Sequence, residues 1–216
     1  MALDSKLRQQ LDRLLTTVVE DNKRGQRLAD DARRIWYRCR RFLQMNLVPP
    51  GIDSDALELA SYAIQLPNRL GKGVPMGRMG QVNLRDRAEQ AAELIISSLG
   101  ENVDESLLDR TTRLLHELPG RAPALNEAKL LADAVNLDDF GVIGLLLQTI
   151  QIGLQGGGVQ QVAEGGEKRQ QYGYWEARLK DGFHFEPIRQ IARKRLEHAA
   201  RGFQMLLVEL QEDQPA

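Results

Sequence analysis

Three aspartates and an asparagine interrupt an otherwise apolar run in LLADAVNLDDFGVIG, residues 130–144. A buried carboxylate is costly unless it is hydrogen-bonded, ion-paired or bound to a cation. Asp133, Asp138 and Asp139 therefore admit two chemistries. They can be ligands of a divalent cation, whose preferred partners are carboxylate oxygens. They can equally be helix punctuation, with Asp138 or Asp139 capping the second half of a helix broken at Asn136. In that case Asp133 is expected to pair with an arginine from another helix, Arg33 or Arg34.

Other chemistry-bearing residues are few. Cys39, the one cysteine, lies between Trp36 and Phe42 on the apolar side of a helix and reads as a packed hydrophobe. There are three histidines. His116 falls near a helix C-terminus, where it complements the dipole. His198 sits among charges and is expected at the surface, and His184 belongs to a hydrogen-bonded turn in DGFHFEP. The glycine-rich GKGVPMG and QGGGVQ lack the spacing of a phosphate-cradling P-loop, and no strand precedes either. Arg33, Arg34, Tyr37, Arg38 and Arg41 are placed on one face of ARRIWYRCRRF. Guanidinium forks match phosphate oxygens, which makes the four arginines candidate phosphate-binding residues. The alternative is a solvated charged face that pairs with acids on neighbouring helices.

The elements that must position these residues are helices, because apolar residues recur at helical spacing almost throughout. Leu7, Leu11, Leu14, Leu15 and Val18 form one stripe, and Ile35, Trp36, Cys39, Phe42 and Leu43 a second that stops before NLVPPG. Asp53 to Asp55 offers caps for a helix ending at Pro67, and Asn83–Leu99 and Asp104–Leu118 are two more. NRLGKGVPMGRMGQ reads as a long mobile loop, and LQGGGVQQVAEGGEKRQQYGY as a flexible connection. The last helix carries Ile188, Ala192, Leu196, Ala199, Phe203, Leu206 and Leu210 on one face. The expected architecture is all-α, with about seven or eight helices: residues 1–24 as a helical appendage and 25–212 as the main domain.

With 42% hydrophobic and 27% charged residues in 216, the composition is that of a globular protein. A net charge of −1 gives no overall attraction to nucleic acid or anionic membrane. A single cysteine excludes a cysteine-based zinc site or an internal disulfide framework. No apolar run approaches the ~18 residues that span a bilayer, and MALDSKLRQQL has no signal-peptide core. A cytoplasmic location is the expectation.

Three segments together resemble the HD-domain superfamily of metal-dependent phosphohydrolases. NEAKLLADAVNLDDFGVIG resembles its C-terminal metal-site helix, where an Asp-Ala-Asp run leads to Leu-Asp and Gly-x-x-Gly. YWEARLKDGFHFEPIRQIARKRLEHAARGF looks like the closing pair of helices, and NLRDRAEQAAELIISSLG is similar to the helix after the His-Asp dyad. DDARRIWYRCRRFL has the look of the opening helix. The resemblance implies an all-α basket whose ligands are an early histidine, a His-Asp dyad and a late aspartate, holding a cation that lowers the pKa of bound water.

The chain departs from that pattern at every ligand. No histidine precedes His116. The first ligand would fall near Asp31 or Ala32, and the dyad near Ile64-Gln65-Leu66. Val135 stands at the second aspartate of the Asp-Ala-Asp run. The resemblance thus implies the fold with a vestigial pocket formed by Asp31, Ile64, Gln65, Glu127, Asp133, Val135 and Asp138, and with no catalytic residue, metal or cofactor. The expected function is a non-catalytic binding or regulatory module, with a small phosphorylated ligand as its candidate partner. Neither membrane nor nucleic acid is expected as a partner, and a homo-oligomer is compatible with the sequence. Two alternatives stand beside it. One is a phosphohydrolase with an atypical site drawn from Asp31, Glu127, Asp133, Asp138, Asp139 and His116. The other is a scaffold that self-associates through its N-terminal helix.

Overall fold

The computed structural model describes residues 3–16, 22–69, 84–101 and 103–212. These are all-helical, with ten α-helices and no strand among the described residues. The chain clusters into two compact units, Met1–Ala132 and Asp133–Ala216, with the boundary inside a helix.

The first unit is built from α1 (Ser5–Thr16), α2 (Asn22–Gln44), α3 (Ser54–Ala63), α4 (Leu84–Leu99) and α5 (Glu105–Glu117), with the start of α6 (Asn126–Asn136). Its centre is α3, whose residues from Ala56 to Ala63 are all buried. It packs against α2, α5 and α4. Asp53 starts α3 by accepting the amides of Asp55 and Ala56, and Asp104 starts α5 by accepting that of Leu107. A short 3-10 turn at Leu66–Arg69 absorbs Pro67. Residues 1–24, expected as an appendage, supply α1, where Leu11 and Leu15 are fully buried. A carboxylate enters the centre of this unit. Glu58 on α3 has no exposure and accepts from the Leu3 amide at 3.3 Å and the Arg8 guanidinium at 2.5 and 2.9 Å.

The second unit holds the 3-10 turn Leu137–Asp139, α7 (Gly141–Leu154), α8 (Val159–Gln171), α9 (Tyr174–Asp181) and α10 (Glu186–Glu212). Helix α10 packs on α7, α8 and α9. Phe140 meets Trp175 and Phe183 edge-on at 5.4 and 5.3 Å between ring centroids.

Several expectations change. Among the described residues the helices number ten, because the stretch read as a flexible connection contains α8 and a separate short α9 precedes the last helix. Glycine lowers helix propensity, but packing on α7, α9 and α10 holds this helix. The apolar stripe of α10 is buried at Ile188, Ala192 and Ala199 and only half-buried from Phe203 onward. Most of the expected mobile loop, with GKGVPMG, lies outside the described residues, as does Val18. Among the described residues no helix is long and apolar enough to cross a membrane.

Candidate functional site

The aspartate-rich stretch folds as the end of α6, a 3-10 turn and the start of α7. The break falls where Asn136 suggested it. Asp133 is fully buried, and its carboxylate accepts the His184 amide at 2.8 Å and the Phe185 amide at 3.0 Å. Those two amides sit at the N-terminus of α10, where orphan donors and the helix dipole both favour an acceptor. Three residues on, Asn136 donates to the Gly182 carbonyl at 2.5 Å and accepts from Arg178 at 2.8 Å. Three further, Asp139 accepts from Arg178 at 2.8 Å and from the Tyr174 hydroxyl at 3.4 Å. Arg189 completes the enclosure by donating to the Phe183 carbonyl at 2.6 Å. The polar residues at 133, 136 and 139 thus clasp the turn between α9 and α10.

Burial pushes the Asp133 carboxyl up to about 7 against the opposing pull of the two amides and of Arg189. Burial also raises the Tyr174 phenol, with Asp139 adding to it.

The capping expectation is corrected here. Helix α7 has Phe140 at its N-cap position and no side-chain cap, and Asp139 is turned toward Arg178 instead. The pairing expectation is corrected too. Asp133 is held by main-chain amides, while Arg33 is held by Asp12 and Asp30, each at 2.8 Å, and Arg34 by Asp31 at 2.5 Å. The Gly-x-x-Gly spacing has a backbone cause. Gly141 adopts φ +77°, and a Cβ on Gly144 would lie 2.4 Å from the Asp139 carbonyl oxygen. Gly144→Ala gains the helix propensity of alanine, about 1 kcal/mol. The clash outweighs it, so a net loss of about 1–3 kcal/mol is expected as a lowered urea midpoint.

The remaining candidates in the first unit each have other partners. Asp31 is spent on Arg34, and Glu127 accepts the Asp53 amide at 2.7 Å. Ile64 is fully buried, and its carbonyl accepts from Arg87 at 3.1 Å. Gln65 is buried and accepts from Asn68 at 2.9 Å. No hydrogen bond or ion pair joins any two of Asp31, Ile64, Gln65 and Glu127. In the second unit Val135 and Asp138 are half-buried. Among the described residues no group of three or more His, Cys, Asp or Glu is arranged to hold a metal ion. The described residues therefore present no such cluster for the cation that the resemblance implies. His116 and His198 are exposed.

The arginine stripe is only partly a free face. Arg38 is buried at 7% exposure, because it lies three residues from Ile35 and four from Phe42, at the edge of the apolar side. Arg33 and Arg34 are neutralised by acids, so Tyr37 and Arg41 remain as its solvent-facing part.

No family model matches the chain, and no curated protein matches it. Solved structures do. YpgQ of Bacillus subtilis in complex with ADP matches at a TM-score of 0.59 and 17% identity, over 98% of this chain and 96% of that one. Its selenomethionine form matches at 0.60 and 16%, over 98% and 97%. A further YpgQ structure matches at 0.54 and 17%, over 96% and 97%. The likeness shows a shared fold.

Proposed function

We propose that this chain is a divergent HD-domain-like protein whose metal site has been dismantled, acting as a non-catalytic binding or regulatory module for a phosphate-bearing ligand. The observation that carries this reading is the use of Asp133. Both of its oxygens are engaged by the His184 and Phe185 amides, so the surviving first aspartate of the Asp-Ala-Asp run serves as a clasp on α10. The substitution pattern agrees, since Ile64, Gln65 and Val135 supply no carboxylate or imidazole where ligands are expected. The phosphate-bearing class is supported by YpgQ, which was crystallised with ADP. Arg41 and Tyr37 are the part of the arginine stripe open to such a ligand.

Calorimetric titration of the full chain with ADP, pyrophosphate and inorganic phosphate tests the ligand class. Saturable binding of ADP at one site per chain is expected. Arg41→Ala is expected to weaken it about tenfold, the loss of one charge-assisted contact of about 1.4 kcal/mol. Absence of binding by all three compounds overturns the ligand class.

A further inference from the structure

A buried ion pair fastens a helix less firmly than apolar side chains in the same place, because both charges lose their water when the pair closes. Helix α1 is nevertheless fastened to α3 by such a pair. Glu58 has no exposure, and among the described residues its donors all belong to the α1 segment: the Leu3 amide and two nitrogens of the Arg8 guanidinium. A second charged tie joins Asp12 of α1 to Arg33 of α2 at 2.8 Å. It leaves the other Asp12 oxygen, Oδ1, buried with no hydrogen-bond partner. The apolar anchorage of this segment is Leu3, Leu11 and Leu15.

Release of α1 relieves each of these costs. Glu58, Arg8 and Asp12 all regain water on undocking, so the ion pair sets the register of docking while keeping it reversible. The Arg8 side chain keeps 37% exposure, which puts the pair at the edge of the seam, where water enters first. The seat beneath α1 is specific in its chemistry. Glu58 and Tyr62 stand one turn apart on α3, and Arg33 and Tyr37 one turn apart on α2. Both tyrosines lie within electrostatic reach of Arg8. The Glu58 carboxylate receives the guanidinium fork at both oxygens, a geometry that lysine cannot supply. The seat therefore fits an amphipathic helix that presents an arginine with leucines three and seven residues on, as α1 does with Arg8, Leu11 and Leu15. We propose that α1 is a releasable strap, which undocks from α2 and α3 as a unit and yields its seat to an arginine-bearing amphipathic helix of a partner protein. The strap is independent of the proposed phosphate-bearing ligand.

Hydrogen exchange of the full chain, read by mass spectrometry, tests the release. The α1 amides are expected to exchange by local opening, with a weaker dependence on denaturant than the α3 amides. Arg8→Ala is expected to speed α1 exchange about a hundredfold, while α4 and α5 stay protected. Arg8→Lys keeps the charge but loses the fork, so a smaller acceleration is expected; it serves should Arg8→Ala fail to fold. Refilling of the seat is read by fluorescence anisotropy of a labelled peptide of residues 1–16 added to the full-length Arg8→Ala protein. Saturable binding at one site per chain is expected, and none by a peptide that itself carries Arg8→Ala. The inference is overturned if the α1 amides exchange only together with those of α3, through global unfolding. It is equally overturned if the wild-type peptide does not bind, or binds no better than the peptide lacking Arg8.

Discussion

Asp133→Ala is expected to lower the stability of the 133–216 unit by about 2–4 kcal/mol, because it leaves the His184 and Phe185 amides without an acceptor at about 1–3 kcal/mol each. Urea denaturation followed by helical circular dichroism reads the loss. Asp133→Asn keeps one acceptor and turns an N–H toward the other amide, so its loss should be smaller but not zero. The carboxyl also predicts a pH dependence with a definite sign. Its pKa is pushed from an ordinary 3.8 to about 7 in the folded protein. The folded state therefore binds the proton more tightly than the unfolded chain. This contribution is fully present below about pH 4 and is lost as pH rises to about 7. The difference in stability between wild type and Asp133→Asn should change across that window and level off above it. A flat difference would mean that the two amides hold the carboxylate ionised throughout.

Arg8→Ala should produce the second large effect, in the first unit. Glu58 has no exposure, and Arg8 supplies two of its three hydrogen bonds. Removing the guanidinium leaves a buried carboxylate with only the Leu3 amide. A fully buried pair broken from one side costs about 3–5 kcal/mol, and the partial exposure of Arg8 reduces this to about 2–4 kcal/mol. The double replacement Arg8→Met with Glu58→Leu should recover most of the loss, because two well-packed apolar side chains remove the unpaired charge together with its partner. A double variant no more stable than Arg8→Ala would show that α1 is held by the ion pair itself rather than by Leu11 and Leu15. Thermal midpoints of the wild type and the two variants distinguish the cases.

What was readable in the sequence follows the range of each interaction. Asp53, Asp104 and the break at Asn136 act within a few residues of themselves, and their roles were visible as spacing. The surface placement of His116 and His198 follows from helical periodicity in the same way. Asp133 was visible as an anomaly but not as a clasp, since its partners lie 51 and 52 residues away. The spacing of 133, 136 and 139 put three polar groups on one face, which was the available signal that they act together. Glu58 gave no such signal, because Arg8 lies 50 residues distant and nothing local requires the pair. Arg38 was misplaced by grouping it with the other arginines, when its distance from Ile35 and Phe42 puts it at the edge of the core. Helix α8 was missed because its glycines argue against a helix locally, and only packing on neighbouring elements reverses that preference.

The central claim is that the metal site is dismantled and that the surviving Asp133 serves as a clasp on α10. Its most direct test is hydrolysis, measured as phosphate release from ADP, ATP and pyrophosphate by the full chain with added Mn²⁺ or Mg²⁺. A dismantled site predicts no release above the protein-free blank, while ADP binding persists in the same buffer. Release that scales with protein concentration, and that disappears in a folded Asp133→Asn variant, would contradict it.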